Sequence, residues 1–305
     1  MSGVAPLPAD VAAILRACED ADAVSPLEHF PVDAVVETFG ADVDGRVAAV
    51  ALLAPGPVWR LAVATRPELR RRGAAARVAA DALAHVDAGS GPTRVDMWIP
   101  GGGARPAVDA VMFALDFALS RRLLRLEIGL GDLPSPKWPP GYSAAPLDDT
   151  DVDAVVGVNN RAFAWHEDQG TWTAAGLREQ LREPWVDRSG FVVAHGADGI
   201  AGFCWTKLHP GPVPTGEIFV ICTDPAHAGR GLGRALTLAG LARLAEAAPV
   251  GMLYVDDGNL AARRTYRRIG FRLARVDVRY THDPTMPPFG GLVSEKRVVV
   301  PPAGL

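Results

Sequence analysis

The chain predicts a mixed α/β fold (α+β, mixed sheet) built twice in tandem. Three observations carry this: strand-length apolar runs alternate with helical periods in both halves, a proline-rich segment separates them, and one strand–turn–glycine–helix unit recurs on either side.

The separator is Gly131 to Tyr142, which holds four prolines. Proline cannot donate to a β-ladder and disfavours helix in the residue before it. The segment reads as a stiff linker centred on 136–141, with an N-terminal domain at 1–135 and a C-terminal domain at 142–305. The repeat sets Leu61 to Ala75 over Phe219 to Gly233, with Thr65 and Thr223, Pro67 and Pro225, and Gly73 and Gly231 in register. A second match sets Met112 to Phe117 over Tyr266 to Phe271, each closing a helical stretch before a strand.

Along the second half, β-rich runs predict strands near Tyr142–Ala144, Gly190–Ala194, Ile200–Leu208, Gly216–Thr223, Gly251–Asp256 and Arg272–Tyr280. Helical periodicity and start signals predict helices near Asp151–Phe163, Thr173–Leu181, Gly231–Ala247 and Leu260–Ile269. From Thr281 to Leu305, proline and glycine predict a partly extended tail.

The strand into Gly229, Gly231 and Gly233 meets a helix whose first amides lack side-chain cover. Such a terminus attracts anions through free N–H donors and its dipole, which suits the pyrophosphate of coenzyme A. A Walker A loop needs Gly-Lys-Ser/Thr, but Arg234 and Ala235 follow Gly233. A dinucleotide fingerprint needs Gly-x-Gly-x-x-Gly, but these glycines alternate. The plain alternative is a helix start lightened by glycine for packing alone.

With 305 residues, 49% hydrophobic, the chain can bury full cores. A net charge of -4 argues against a nucleic-acid partner. Residues 1–10 lack a basic stretch followed by an apolar core, and Asp116 interrupts the apolar run near Val111–Leu119, so no membrane segment is expected and the protein is expected to be cytoplasmic. Cys18, Cys204 and Cys222 form no Cys-x-x-Cys pair and the seven histidines show no ligand spacing, so no metal is implied. Cys222 precedes the loop, which raises an acyl-cysteine intermediate, but no base stands beside it in sequence.

The two loops resemble those of the GNAT acetyltransferase superfamily, which read Arg or Gln, two residues, Gly, one residue, then Gly or Ala. Arg70, Gly73 and Ala75 follow that pattern; Gly231 and Gly233 follow it with Ala228 in the first place. Closer similarity, to the mycothiol synthase family, rests on Asn160–Gly170, Gly202–Lys207, Glu217–Gly233, Leu253–Val255 and Arg264–Tyr266, with a weaker match around Pro26–Glu28. The resemblance implies two tandem GNAT domains and acetyl transfer from acetyl-CoA to the cysteinyl amine of cysteinyl-glucosaminyl-inositol. It assigns acetyl-CoA contacts to Ile221, Cys222, Thr223, Ala228, Gly229, Arg230, Gly231, Leu232, Gly233 and Arg234, and to Asn259, Leu260, Ala261, Ala262, Arg263 and Arg264. In the first half it assigns Val63, Arg70, Arg71, Arg72, Gly73, Ala74 and Ala75.

A free α-amine is mostly protonated at neutral pH, so transfer needs a base. Glu217, opening the strand into the loop, is expected to be that base, against the plain reading of an exposed strand-end carboxylate. Backbone amides at Ile221–Thr223 are expected to face the oxyanion. Tyr266 matches the family's proton donor to the coenzyme A thiolate, against a core-packed tyrosine. In the first half Met112 or Phe113 stands in that place, so the N-terminal domain is expected to bind acetyl-CoA without catalysing transfer. The resemblance assigns the acceptor to Glu28, Asp168, Lys207, Glu217 and Tyr254, with Trp165, His166 and Trp205 shaping the pocket. Another small amine or a peptide N-terminus as acceptor, or a noncatalytic acyl-CoA sensor, stays open, as does oligomeric state, a monomer included.

Overall fold

A computed structural model describes residues 7–35, 37–91, 93–103, 106–165 and 169–285. The elements run α1 (Ala9–Asp22), β1 (Glu37–Val43), β2 (Arg46–Ala54), β3 (Trp59–Thr65), α2 (Ala74–Asp87), β4 (Val95–Ile99), α3 (Pro106–Ala114) and β5 (Phe117–Gly129). They continue as β6 (Ser143–Pro146), α4 (Val152–Ala162), α5 (Ala174–Gln180), β7 (Phe191–Gly196), β8 (Gly199–His209), β9 (Thr215–Thr223), α6 (Leu232–Leu244), β10 (Val250–Asp256), α7 (Leu260–Ile269) and β11 (Arg272–His282). Contacts divide the chain into a first unit, 1–123 with 275–305, and a second unit, 124–274. The division falls within β5 and β11, so the first unit is discontinuous in sequence, and residues 136–141 lie within the second.

In the first unit the strand order is β1-β2-β3-β4-β11-β5, where β11 contributes its residues from 275 onward and β5 those up to 123. β2 reads as an unbroken apolar run, Val47 to Ala54, because both its faces are covered. Ala49, Ala51 and Leu53 enter a core with Val78, Ala82 and Val86 of α2, while Val50 and Leu52 meet Val11, Ile14 and Leu15 of α1. β11 divides the same way. Val278 and Tyr280 join the α2 core, while Asp277 and Arg279 alternate with them onto the other face. The strand continues through Thr281 and His282, which pair with Asp96 and Val95 of β4, so the expected tail begins later than Thr281; residues 286–305 of that expectation lie outside the described residues.

In the second unit the order is β5-β10-β9-β8-β7-β6, with β5 contributing its residues from 124 onward. Every strand and helix expected between residues 142 and 274 is present. The largest displaced end is that of α6, at Leu244 rather than Ala247, since Ala245–Ala247 close the helix as a turn. One face of the sheet packs Phe191, Phe203, Trp205 and Val220 against Val152, Val155 and Val158 of α4. The opposite face takes α6, whose Gly240 approaches so closely that an added Cβ would lie 2.5 Å from Cys204 Sγ. The proline-rich segment is extended and reaches the loop before α6, where Pro139 Cγ lies 4.0 Å from the position of a Cβ on Gly231.

Candidate active site

Each unit carries the same backbone turn at the position the repeat predicts. After Thr65 and Thr223 come short 3-10 turns, Pro67–Leu69 and Pro225–His227, each with proline at the start where its missing N–H is harmless. Arg71 (φ 65°) and Gly73 (φ 81°) correspond to Gly229 (φ 76°) and Gly231 (φ 83°), all left-handed. Gly73 and Gly231 are the N-cap residues of α2 and α6, and neither helix receives a side-chain cap. The first intrahelical bonds come from Arg77 to Gly73 and Ala235 to Gly231. The amides of Ala74, Ala75 and Ala76, and of Leu232, Gly233 and Arg234, are thus left for a ligand or water. In the second unit Asp224 fixes the turn, accepting from the Ala226 amide at 2.9 Å and pairing with Arg161 at 2.6 Å. Burial works against the charge on Asp224, but these bonds outweigh it and hold its pKa below the usual carboxylate value.

The strands leading into both loops lose a neighbour partway. β9 and β10 pair in parallel from Thr215–Val250 to Ile218–Leu253. At this point β9 carries a bulge, since Thr206 and Trp205 of β8 face Ile218 and Val220 and leave Phe219 unopposed. Beyond it β9 still pairs with β8 through Thr223, so alternate amides of Val220–Thr223 turn toward the side β10 has left. β3 and β4 likewise pair only as far as Leu61–Met97. Past that point a cleft of about 310 Å³ opens in the first unit, lined by Val63, Arg70, Arg71, Gly73, Ala74 and Ala75 among others. Arg70 lies at this cleft with its guanidinium held by Asp22 at 2.7 and 2.8 Å, while Arg72 pairs with Asp44. Met112, on α3, lines the cleft in the place equivalent to Tyr266.

Glu217 is buried, 8% exposed, rather than an open strand-end carboxylate. It stands opposite Lys207 of β8 and beside Met252 of β10, and accepts a 2.6 Å hydrogen bond from His209 Nε2. Lys207 Nζ sits over the rings of Trp185 (4.7 Å) and Phe219 (5.4 Å), on the sheet face that carries Trp205. Tyr266 belongs to α7, which packs beside α6 and so approaches from the other face. Its ring is buried edge-on to Phe271, 5.6 Å between centroids. Burial, with lesser contributions from Cys204 and Cys222, raises its pKa and keeps the phenol protonated. The base and acid candidates therefore lie on opposite faces of the sheet, with Glu217 at the last pairs before the break between β9 and β10.

Asn259 caps α7, its Oδ1 accepting from the Ala262 amide at 3.1 Å, and Leu260, Ala261 and Arg264 are surface positions of that first turn or next to it. Arg263 pairs with Asp257 at 2.7 Å. Arg230 reaches Tyr142 Oη at 3.0 Å, and that hydroxyl also bonds His227 Nδ1 at 2.8 Å, so the proline-rich segment braces the loop. Glu28 lies in the first unit, ion-paired to Arg275 at 2.5 Å. Tyr254 is half-buried on β10 beyond the last β9 pair, and Trp165 is exposed. Asp168 and His166 lie outside the described residues. Cys222 is buried, and burial, with Asp224 nearby, raises its pKa, so it rests as an unreactive thiol. Cys204, wholly buried, is pushed up to about 12. No cluster suited to a metal occurs among the described residues, and none of their helices is long and apolar enough to cross a membrane.

His209 is the residue the sequence reading missed. Its signal was available: two residues after Lys207, it shares that side chain's face of the strand.

Residues 159–271 match the Acetyltransferase (GNAT) family. The mycothiol acetyltransferase of Kineococcus radiotolerans is 36% identical over 298 residues, covering 92% of this chain and 95% of that one. That of Mycobacterium sp. (strain JLS) is 38% identical, covering 88% and 92%. Among solved structures, a GCN5-related N-acetyltransferase from Sphaerobacter thermophilus shares the fold at a TM-score of 0.71 with 20% identity, covering 91% of this chain and 93% of its own. A tandem GNAT protein from the clavulanic acid biosynthesis pathway does so at 0.65 with 18% identity, covering 89% and 94%. With sequence identity of this level sustained along nearly its whole length, and the glycine loop and strand break present in both units, the chain belongs to the mycothiol acetyltransferase family and is an N-acetyltransferase of tandem GNAT architecture.

Proposed function

We propose that the protein transfers the acetyl group of acetyl-CoA to the cysteinyl amine of cysteinyl-glucosaminyl-inositol, forming mycothiol, in the second unit. The observation that carries the reading is the break between β9 and β10 beyond Ile218–Leu253, with the buried Glu217 in the pair just before it. The thioester enters from the α6 side with its pyrophosphate on the amides of 232–234, and the amine approaches from the Lys207 side. Glu217 takes one proton from the ammonium, and the freed nitrogen attacks the thioester carbonyl. The resulting oxyanion is met by unpaired amides of β9, each such donor typically contributing about 3 kcal/mol. As the C–S bond breaks, Tyr266 gives its proton to sulfur. The second proton lost by nitrogen balances that gift, so each turnover releases one proton to water.

Lys207 and Tyr254 are proposed to contact the acceptor in the second unit. The first unit is proposed to hold acetyl-CoA without transferring it, a reading supported by the cleft beside Gly73 and by Met112, which has no proton to give.

The test is to incubate the purified protein with acetyl-CoA and this amine and to follow the N-acetylated product by mass. Formation of that product, abolished in Glu217→Gln, is expected. Turnover with other amines but not this one would reassign the acceptor, and coenzyme binding without turnover on any amine would make the protein a sensor.

A further inference from the structure

Glu217 is closed off from water, with a side chain 10% exposed, yet a base must lose its acquired proton in every catalytic cycle. The structure gives that carboxylate one side-chain hydrogen-bond partner among the described residues, the Nε2 of His209 at 2.6 Å. His209 ends β8, and its side chain is 39% exposed, four times as open as the carboxylate it touches. The pair therefore spans from a dry interior to the surface in one hydrogen bond. Imidazole is the side chain that both accepts and releases a proton near neutrality.

We infer that His209 is a proton-relay and positioning residue for acetyl transfer, carrying to solvent the proton that Glu217 takes from the substrate ammonium. The inference rests on Glu217 being the base. The ammonium N–H bond breaks and its proton joins the Glu217 carboxylate, and the carboxylic acid then passes a proton to the Nε2 of the His209 ring in the tautomer that carries its hydrogen on Nδ1. The imidazolium sheds its Nδ1 proton to water, leaving the Nε2–H ring that donates to ionised Glu217, and exchange of ring protons with solvent restores the Nδ1–H tautomer before the next transfer. No oxidant or further reactant enters, and the single proton leaving matches the one the overall reaction liberates.

The relay pair lies on one face of the sheet. Among the described residues of β8, β9 and β10, the registers set Glu217 and Lys207 on the face His209 shares. While Glu217 is ionised it anchors the ring. Between turnovers the same bond fixes the carboxylate rotamer.

The test uses the full chain with acetyl-CoA and the acceptor amine at saturation, comparing His209→Ala, His209→Gln and Glu217→Gln. Loss of a relay is expected to lower kcat about tenfold or more, short of the ~10²–10⁴ for loss of the base itself, with KM for acetyl-CoA unchanged. Added imidazole should restore kcat in His209→Ala in a saturable manner. His209→Gln, which keeps a donor to Glu217 but cannot carry a proton, should stay slow. A folded His209→Ala with parental kcat, or a slow one indifferent to imidazole, overturns the relay when Glu217→Gln is inactive. A Glu217→Gln enzyme with parental kcat overturns the base assignment, and the relay with it.

Discussion

Replacing Tyr266 with phenylalanine removes one hydroxyl and leaves the ring on Phe271 in place. That hydroxyl has no hydrogen-bond partner among the described residues, so its loss orphans no buried group, and a stability change under about 1 kcal/mol is expected. The catalytic cost is separate. Positioned acids contribute about 10²–10⁴-fold, and a thiolate, whose conjugate acid has a pKa of about 8.5, is a capable leaving group unaided, which places the loss near 10². A hundredfold drop corresponds to roughly 2.7 kcal/mol of barrier. Because burial raises the phenol's pKa, the tyrosine stays protonated through the neutral and mildly alkaline range, and its own ionisation should not end activity there. Initial rates from about pH 6 to 9 at saturating amine, with thermal melts of both proteins, decide the matter. Expected are a matched Tm, an unchanged KM for acetyl-CoA and a kcat about 10² lower. A Tyr266→Phe enzyme within about threefold of the parent, less than 1 kcal/mol of barrier, would remove Tyr266 from proton transfer.

Gly231→Ala places a side chain at φ 83°, a left-handed strain of about 1–2 kcal/mol. Its Cβ would meet nothing nearer than Pro139 Cγ at 4.0 Å, so the same change also fills space beside the loop amides; KM for acetyl-CoA should rise about tenfold or more, and an unchanged KM would remove the loop from coenzyme binding. Asp277→Asn tests the buried charges of the first unit. Burial alone would raise the Asp277 pKa, but bonds from His29, Arg275 and the Gly101 amide bring it down to about 2. That is below the ordinary 3.8, so its contribution is present above about pH 4 and lost as pH falls through about 2, amounting to roughly 2 kcal/mol. Denaturant unfolding across that window should show the parent losing about this much more stability than Asp277→Asn; parallel curves would refute it.

The loops were legible because their requirements are local. Thr-x-Pro followed by glycine encodes a strand end, a proline-tolerant turn and a left-handed N-cap within a few residues, and the register drawn from those residues matches the backbone angles at Gly73 and Gly231. The matched positions Met112 and Tyr266 were readable for the same reason, since Asp116 (φ 56°) and Gly270 (φ 120°) end both helices alike. What escaped depended on partners distant in sequence. Nothing near Glu28 announces Arg275. His209, by contrast, lies only eight residues from Glu217 and was missed although its place two residues after Lys207 put it on that side chain's face. The sequence likewise held no sign that residues from 275 onward complete the first unit, because a strand's apolar alternation names its faces and not its neighbours.

That last arrangement dictates an order of events at the ribosome. β4 and β5 are synthesised early, but the strand that lies between them in the first unit, β11, is translated only after residues 124–274. Until it emerges, two strand edges keep unpaired N–H and C=O groups that invite pairing with other chains. The unit whose first residues leave the tunnel earliest is thus the one finished last. A gene fragment ending before Arg272 would yield a first unit with a missing stave, whereas a circular permutant that brings β11 ahead of β1 would let it close while synthesis continues.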